Sequence, residues 1–152
     1  MIVIVCPGQG SQTPGFLEPW LAEEQFRDHL EALSDVAQLD LATHGTVSDA
    51  GTIRDTKIAQ PLIVAAGLLT LGALLTENRR ALLGGVAGHS VGEITAAAAA
   101  GILSESDAVT FVRERGRAMA DAAALTATGM SAVIGGDEAQ LLEILAQLEL
   151  EP

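Results

Sequence analysis

The sequence predicts an α/β fold on a short parallel sheet. Three observations point there. The β-branched run Ile2-Val3-Ile4-Val5-Cys6 ends at Pro7-Gly8 and reads as a strand buried on both faces. A second short apolar segment, Leu83 to Gly88, feeds directly into a helical stretch of small residues. Long helical patterns lie between and after these two segments, the alternation expected of a parallel sheet.

The elements follow in order. Pro7 to Gly15 is a loop rich in Gly, Pro, Gln and Ser, and Glu18 to Ala37 mixes polar and apolar residues at helical spacing. Leu39 to Thr56 is loop and short helix. Ile58 to Glu77 is apolar almost all round, so this helix belongs inside the fold. After the second strand, Val91 to Ala100 forms a small-residue helix that ends at Gly101. Ser104, with Asp107 three residues on, caps a helix running to about Ala124. Thr126 to Gly129 is a linker, Met130 to Ile134 a third strand, Gly135-Gly136 a turn and Asp137 to Leu148 a last helix. Two strands are too few for a buried parallel sheet and the third lies beyond a linker. The expectation is the front part of something longer, divided at residues 1–127 and 128–152.

Composition narrows the function. The chain has 152 residues, 49% of them hydrophobic, which suits one domain with a real core. Net charge is −12, and the eight basic residues form no long run, which argues against nucleic acid or an anionic membrane as partner. The single cysteine, Cys6, permits no intramolecular disulfide and fits a reducing cytoplasm. The longest apolar run, Pro61 to Leu75, falls short of the roughly 20 residues that span a bilayer.

Gly88-His89-Ser90-Val91-Gly92 fits G-x-S-x-G. In a nucleophile elbow a strand turns sharply into a helix with serine at the apex, and glycines flank it because side chains there would collide. The next amide, of Val91, can donate to an oxyanion, and the helix N-terminus adds positive potential. A plainer reading is available: Ser90-x-x-Glu93 is also a capping box. The apolar strand before and small-residue helix after favour the elbow.

Pro7-Gly8-Gln9-Gly10-Ser11-Gln12 occupies the loop after the first strand, where α/β proteins place their sites. It fails as a phosphate cradle: Thr13 stands where a third glycine is needed, and no Gly-Lys-Ser/Thr follows. An oxyanion loop or a simple turn remains.

Taken in order, these two loops, Ala59-Gln60-Pro61, Arg115-Gly116-Arg117-Ala118-Met119 and Gly129-Met130-Ser131-Ala132-Val133-Ile134-Gly135 resemble the malonyl-CoA:acyl carrier protein transacylases of bacterial fatty acid synthesis. They also resemble the acyltransferase domains of modular polyketide synthases. The resemblance covers this whole chain but about the first half of a family member. It implies that Ser90 attacks malonyl-CoA, becomes the acyl-enzyme and passes malonyl to the phosphopantetheine thiol of acyl carrier protein, with ping-pong kinetics. Gln9 and Val91 match the oxyanion-hole amides, and Arg115 matches the arginine that grips the malonyl carboxylate. Gln60, His89, Gly8 and Gly10 match positions lining the cleft. No cofactor or metal is implied; malonyl-CoA enters as substrate.

Helical periodicity bears on Arg115. Val109, Val112, Gly116, Met119 and Ala123 form one apolar face, with Arg113, Arg117, Glu114 and Asp121 on the other. Arg115 falls at the edge of the apolar face, so Arg113 and Arg117 should point to water and Arg115 should not. A guanidinium removed from water needs an anion: a structural carboxylate, or a bound one.

The three histidines are poor bases for Ser90. His89 is its neighbour, and side chains diverge at a tight elbow; His29 and His44 read as solvated. The resemblance implies a catalytic histidine beyond Pro152, in a C-terminal half that would be this chain's partner, an α/β-hydrolase-like large subdomain over residues 1–127, and a ferredoxin-like small subdomain only begun by residues 128–152. A serine thioesterase or hydrolase would share the elbow but has no use for Arg115. A non-catalytic binding module is the third reading. Arg79, Arg80, Arg113 and Arg117 are candidates for docking an acidic carrier protein.

Overall fold

A computed structural model describes residues 1–125 and 133–150. The architecture is α/β. Strand β1 (Ile2–Cys6) pairs in parallel with β2 (Leu83–Gly88), with Val3 opposite Gly85 and Cys6 opposite Gly88. The crossover between them carries α1 (Glu24–Ala37), α2 (Leu41–Thr46), α3 (Thr56–Leu74) and α4 (Glu77–Arg80). After β2 come α5 (Gly92–Ala99), α6 (Glu105–Leu125) and α7 (Glu138–Gln147).

The core is aliphatic, as a chain with few aromatics requires. Leu62, Val64, Ala65, Leu68 and Leu69 of α3 are essentially inaccessible and pack against Leu30, Leu33, Val109 and Val112. Helix α3 is long and apolar enough to cross a membrane by length and composition, yet its apolar residues make the centre of this fold. Pro61 within α3 removes an amide donor that would otherwise bond the Lys57 carbonyl. There α6 crosses closely: a Cβ on Gly116 would meet Thr56 O at 3.1 Å and Lys57 Cα at 3.3 Å. That close crossing sets Arg115 beside Gln60.

Several expectations change. β1 is not buried on both faces. Ile2 and Ile4 are half-buried and Cys6 is buried, but Val3 is 58% and Val5 72% exposed. Among the described residues, helices cover one face of the sheet only, so side chains alternate as they do on any half-covered strand. The stretch predicted as one helix from Glu18 begins instead as a 3₁₀ turn, Trp20–Ala22. Glu23 is extended (φ −103°, ψ 132°), and α1 starts after it. Trp20 and Phe26 meet edge-to-face across this break, with centroids 5.1 Å apart. Helix α3 ends at Leu74, earlier than predicted, and α4 begins two residues past the Leu75 cap. The linker Thr126–Gly129 and most of the expected strand Met130–Ile134 lie outside the described residues.

Caps follow the sequence. Ser104 accepts from Asp107 N at 3.0 Å and its hydroxyl donates to Asp107 Oδ2 at 2.6 Å. Asp40 accepts from the backbone N–H of Thr43 (2.9 Å) and from its hydroxyl (2.7 Å). The Thr43 amide chiefly, and its hydroxyl next, hold the Asp40 carboxyl below the ordinary carboxylate range. A pKa depressed by folding contributes stability that is complete above the unfolded value, about 4. It is lost as pH falls through the lower folded value. Asp40→Ala is therefore expected to cost about 1 kcal/mol at pH 7 and less at pH 2, read from urea midpoints at both pH values. An equal cost at both would show that the carboxylate charge is irrelevant to the cap.

Candidate active site

Ser90 sits where β2 turns into α5. Its φ is +53°, the left-handed region that non-glycine residues enter at a cost of roughly 1–3 kcal/mol. The turn is held by His89 N bonded to Cys6 O (3.0 Å), Gly92 N to His89 O (3.0 Å) and Glu93 N to Ser90 O (3.0 Å). Val91 is completely buried and pins the turn from below, while Ser90 is exposed. The flanking glycines are demanded by space. A Cβ on Gly92 would overlap the carbonyl oxygens of Cys6 and Pro7, and one on Gly88 would overlap the backbone of Gly92 and Glu93.

The capping alternative for Ser90 does not hold. Helix α5 begins at Gly92, one residue later than expected, and its N-cap is Val91, with no side-chain cap bond. Ser90 Oγ instead accepts from Arg115 Nη2 at 3.2 Å.

Arg115 reaches the serine from α6. Its Nη1 donates to Gln60 Oε1 at 2.6 Å, and Gln60, 1% exposed, donates from Nε2 to Met119 Sδ at 3.2 Å. The half-buried Arg115 has no carboxylate within ion-pair distance among the described residues. Of the two partners the sequence allowed, the structural carboxylate is not found there.

Arg113 differs from expectation. It is not turned to water: its Nη1 donates to the Val36 carbonyl at 2.8 Å and its Nε to Glu114 at 2.7 Å. Helix α6 packs on α1 here, and the arginine lays its stem along that contact while its head satisfies a carbonyl in α1's last turn. Arg117 is exposed, beside Glu114 and Gln38.

The loop after β1 forms the opposite wall. Gly8 lies so close to His89 that a Cβ would overlap the imidazole and the His89 carbonyl. Gly10 has φ +107°, a glycine conformation, and its amide donates to Gln12 Oε1 (2.9 Å). Gln9 Nε2 reaches Arg54 O (3.3 Å) and Thr56 Oγ1 (3.4 Å), and Gln12 Nε2 reaches Ile53 O (2.9 Å). The main-chain amides of Gln9 and Val91 bond to no acceptor among the described residues. Gln9, Gly10, Gln60, His89 and Ser90 thus line one cleft of about 590 Å³.

Neither His29 nor His44 is among the residues lining the Ser90 cleft. His29 Nε2 is 2.7 Å from Glu105 Oε2, linking α1 to α6, and His44 Nδ1 is 2.9 Å from Ser48 Oγ. Both are half-buried, and each has a side-chain partner. Burial pushes the Cys6 thiol up, so it stays protonated and inert beneath the loop. Among the described residues no group of three His, Cys, Asp or Glu could hold a metal ion.

The sequence reading missed Met119, Arg54 and Gln12 as cleft residues. Met119 stands four residues after Arg115, hence on the same helical face, a signal that was available. Arg54 stands in a stretch of sequence without motif or period, and only tertiary structure brings it here.

Comparisons with known proteins bear on the family and the fold. The pattern of the acyl transferase domain family matches residues 3–146. The malonyl CoA-acyl carrier protein transacylase of Mycobacterium tuberculosis is 51% identical over 100% of this chain and 51% of its own length. The crystal structure of that organism's transacylase superposes with TM-score 0.89 at 50% identity, covering 100% of this chain and 51% of that one. A solved complex of a malonyl-transacylase with its type II polyketide synthase acyl-carrier protein is 29% identical with TM-score 0.67, covering 79% of this chain and 39% of that one. The chain spans about half the length of the curated relatives it matches. By its sequence pattern and its fold, the chain belongs to the acyl transferase domain family.

Proposed function

We propose that this chain carries the nucleophile and the carboxylate clamp of a cytoplasmic malonyl transferase that moves malonyl from malonyl-CoA to the phosphopantetheine thiol of acyl carrier protein. One observation carries the reading: Arg115, without a carboxylate partner among the described residues, holds its guanidinium 3.2 Å from the hydroxyl of an elbow serine. Malonyl thioesters present a carboxylate close to the reacting carbonyl, and this pair of groups is spaced for both ends.

Ser90 Oγ attacks the thioester carbonyl. The amides of Gln9 and Val91 receive the oxyanion, the carbon–sulfur bond breaks, and CoA leaves as its protonated thiol. Arg115 releases the serine and grips the carboxylate bidentately, while Gln60 keeps the guanidinium in plane. His89, Gly8 and Gly10 shape the wall. The carrier-protein thiol then attacks the malonyl ester and regenerates Ser90. The proton on Ser90 needs a base, which we assign to a histidine outside these residues, in a C-terminal half completing the large subdomain (1–127) and the ferredoxin-like one (from 128). A serine hydrolase built on the same elbow is disfavoured, because a cation in the acyl pocket has nothing to bind in an uncharged ester.

Mass spectrometry after incubation with malonyl-CoA tests the assignment. Ser90 is expected to gain the malonyl mass, about 10²–10⁴-fold more slowly than with base assistance, and Ser90→Ala to gain none. Labelling of both proteins, or of neither, overturns it.

A further inference from the structure

We propose that Arg54 receives a phosphate of the phosphopantetheine arm at the mouth of the Ser90 cleft, an inference that rests on the transfer reading above. Arg54 ends a 3₁₀ turn, Thr52–Arg54, and lines the same cleft as Ser90. The turn is fastened to the loop after β1 through main-chain atoms: Gln9 binds the Arg54 carbonyl and Gln12 the Ile53 carbonyl. The backbone of Arg54 is therefore held in fixed relation to the serine, while its exposed side chain is free of that task.

Its charge matters because of where it stands. The chain carries 20 acidic residues against eight basic ones, so a polyanionic substrate meets net repulsion and needs local positive charge at its entry. Lys57, Arg113 and Arg117 each have a carboxylate partner. Arg54 has none among the described residues, although two aspartates flank it in sequence. Asp49 Oδ1 accepts from Thr52 N at 2.8 Å, and Asp55 serves Lys57, accepting from its amide at 3.0 Å and facing its ammonium at 3.5 Å. Arg54 lines the cleft itself, and Arg115 reaches Ser90 from α6. Arg115 lies at the serine, where the acyl carboxylate belongs, which leaves Arg54 for anionic charge farther along the arm. The phosphates of CoA and the phosphodiester of a charged carrier protein share this chemistry.

Calorimetry on the chain and on Arg54→Gln, with CoA, pantetheine, and a carrier protein in its phosphopantetheinylated and apo forms, tests the contact. Arg54→Gln is expected to weaken CoA about tenfold and leave pantetheine, which has no phosphate, unchanged. Arg54→Lys should restore most of the loss, and added salt should shrink the difference. A loss confined to the phosphopantetheinylated carrier protein also supports the contact and names the carrier as its source. Equal binding by the chain and Arg54→Gln, a matching loss for pantetheine, or a chain that binds CoA no better than pantetheine overturns it. The transfer reading stands or falls separately on Ser90 labelling by malonyl-CoA, which needs no difference between these ligands.

Discussion

Gly92→Ala is expected to destabilise the chain by at least about 3 kcal/mol, above the usual range for an added methyl in a packed core. Overpacking is cheap where a flexible side chain can yield. Here the added carbon meets two carbonyl oxygens of the main chain, Cys6 and Pro7, at the end of β1. Relieving the clash means parting α5 from the sheet, and with it the turn that presents Ser90. A matched control lies in α3: Gly72 is helical and exposed, and a Cβ there meets nothing within 4 Å. Gly72→Ala should therefore raise stability by about 0.5–1 kcal/mol through helix propensity. Urea denaturation of the three proteins decides the matter. A Gly92→Ala midpoint indistinguishable from the parent would mean that the elbow has slack, and the case for a strained, presented serine would fail with it.

Arg115→Leu is expected to slow labelling of Ser90 by malonyl-CoA about 10²–10³-fold, while labelling by acetyl-CoA changes less than about threefold. Removing one partner of a desolvated charge pair costs roughly 2–5 kcal/mol, and each 1.4 kcal/mol is a factor of ten. The donors differ in the carboxylate alone, so their ratio isolates the clamp from damage to the fold. Gln60→Ala should follow in the same direction and less far, since Gln60 touches Arg115 rather than the substrate. Both donors slowing equally under Arg115→Leu would assign the arginine to supporting the cleft rather than to reading the acyl group.

The elbow was legible from residue order because its constraints are local. A strand, a sharp turn and a helix within a dozen residues leave few choices, and G-x-S-x-G states the steric condition directly. The cap at Ser104 was legible for the same reason: a side-chain acceptor and its amide lie three residues apart. Arg115 was half legible. Helical period set it apart from Arg113 and Arg117, but not that its neighbours would be the neutral Gln60 and Ser90. Arg113 was misread because periodicity describes one helix in isolation, and α1 packs against the face it assigned to water.

By itself, the order of residues determined the α/β class, the two strands, the presented serine and the aliphatic core helix, all consequences of spacing within one element or between neighbours. Tertiary structure alone decided that one sheet face stays bare among the described residues. It also decided that Gly116 lets α6 approach α3 closely enough to join Arg115 to Ser90. It brought Arg54 to the cleft as well. These are contacts between residues 25 or more positions apart, where periodicity carries no register and only the packing of whole elements fixes distance.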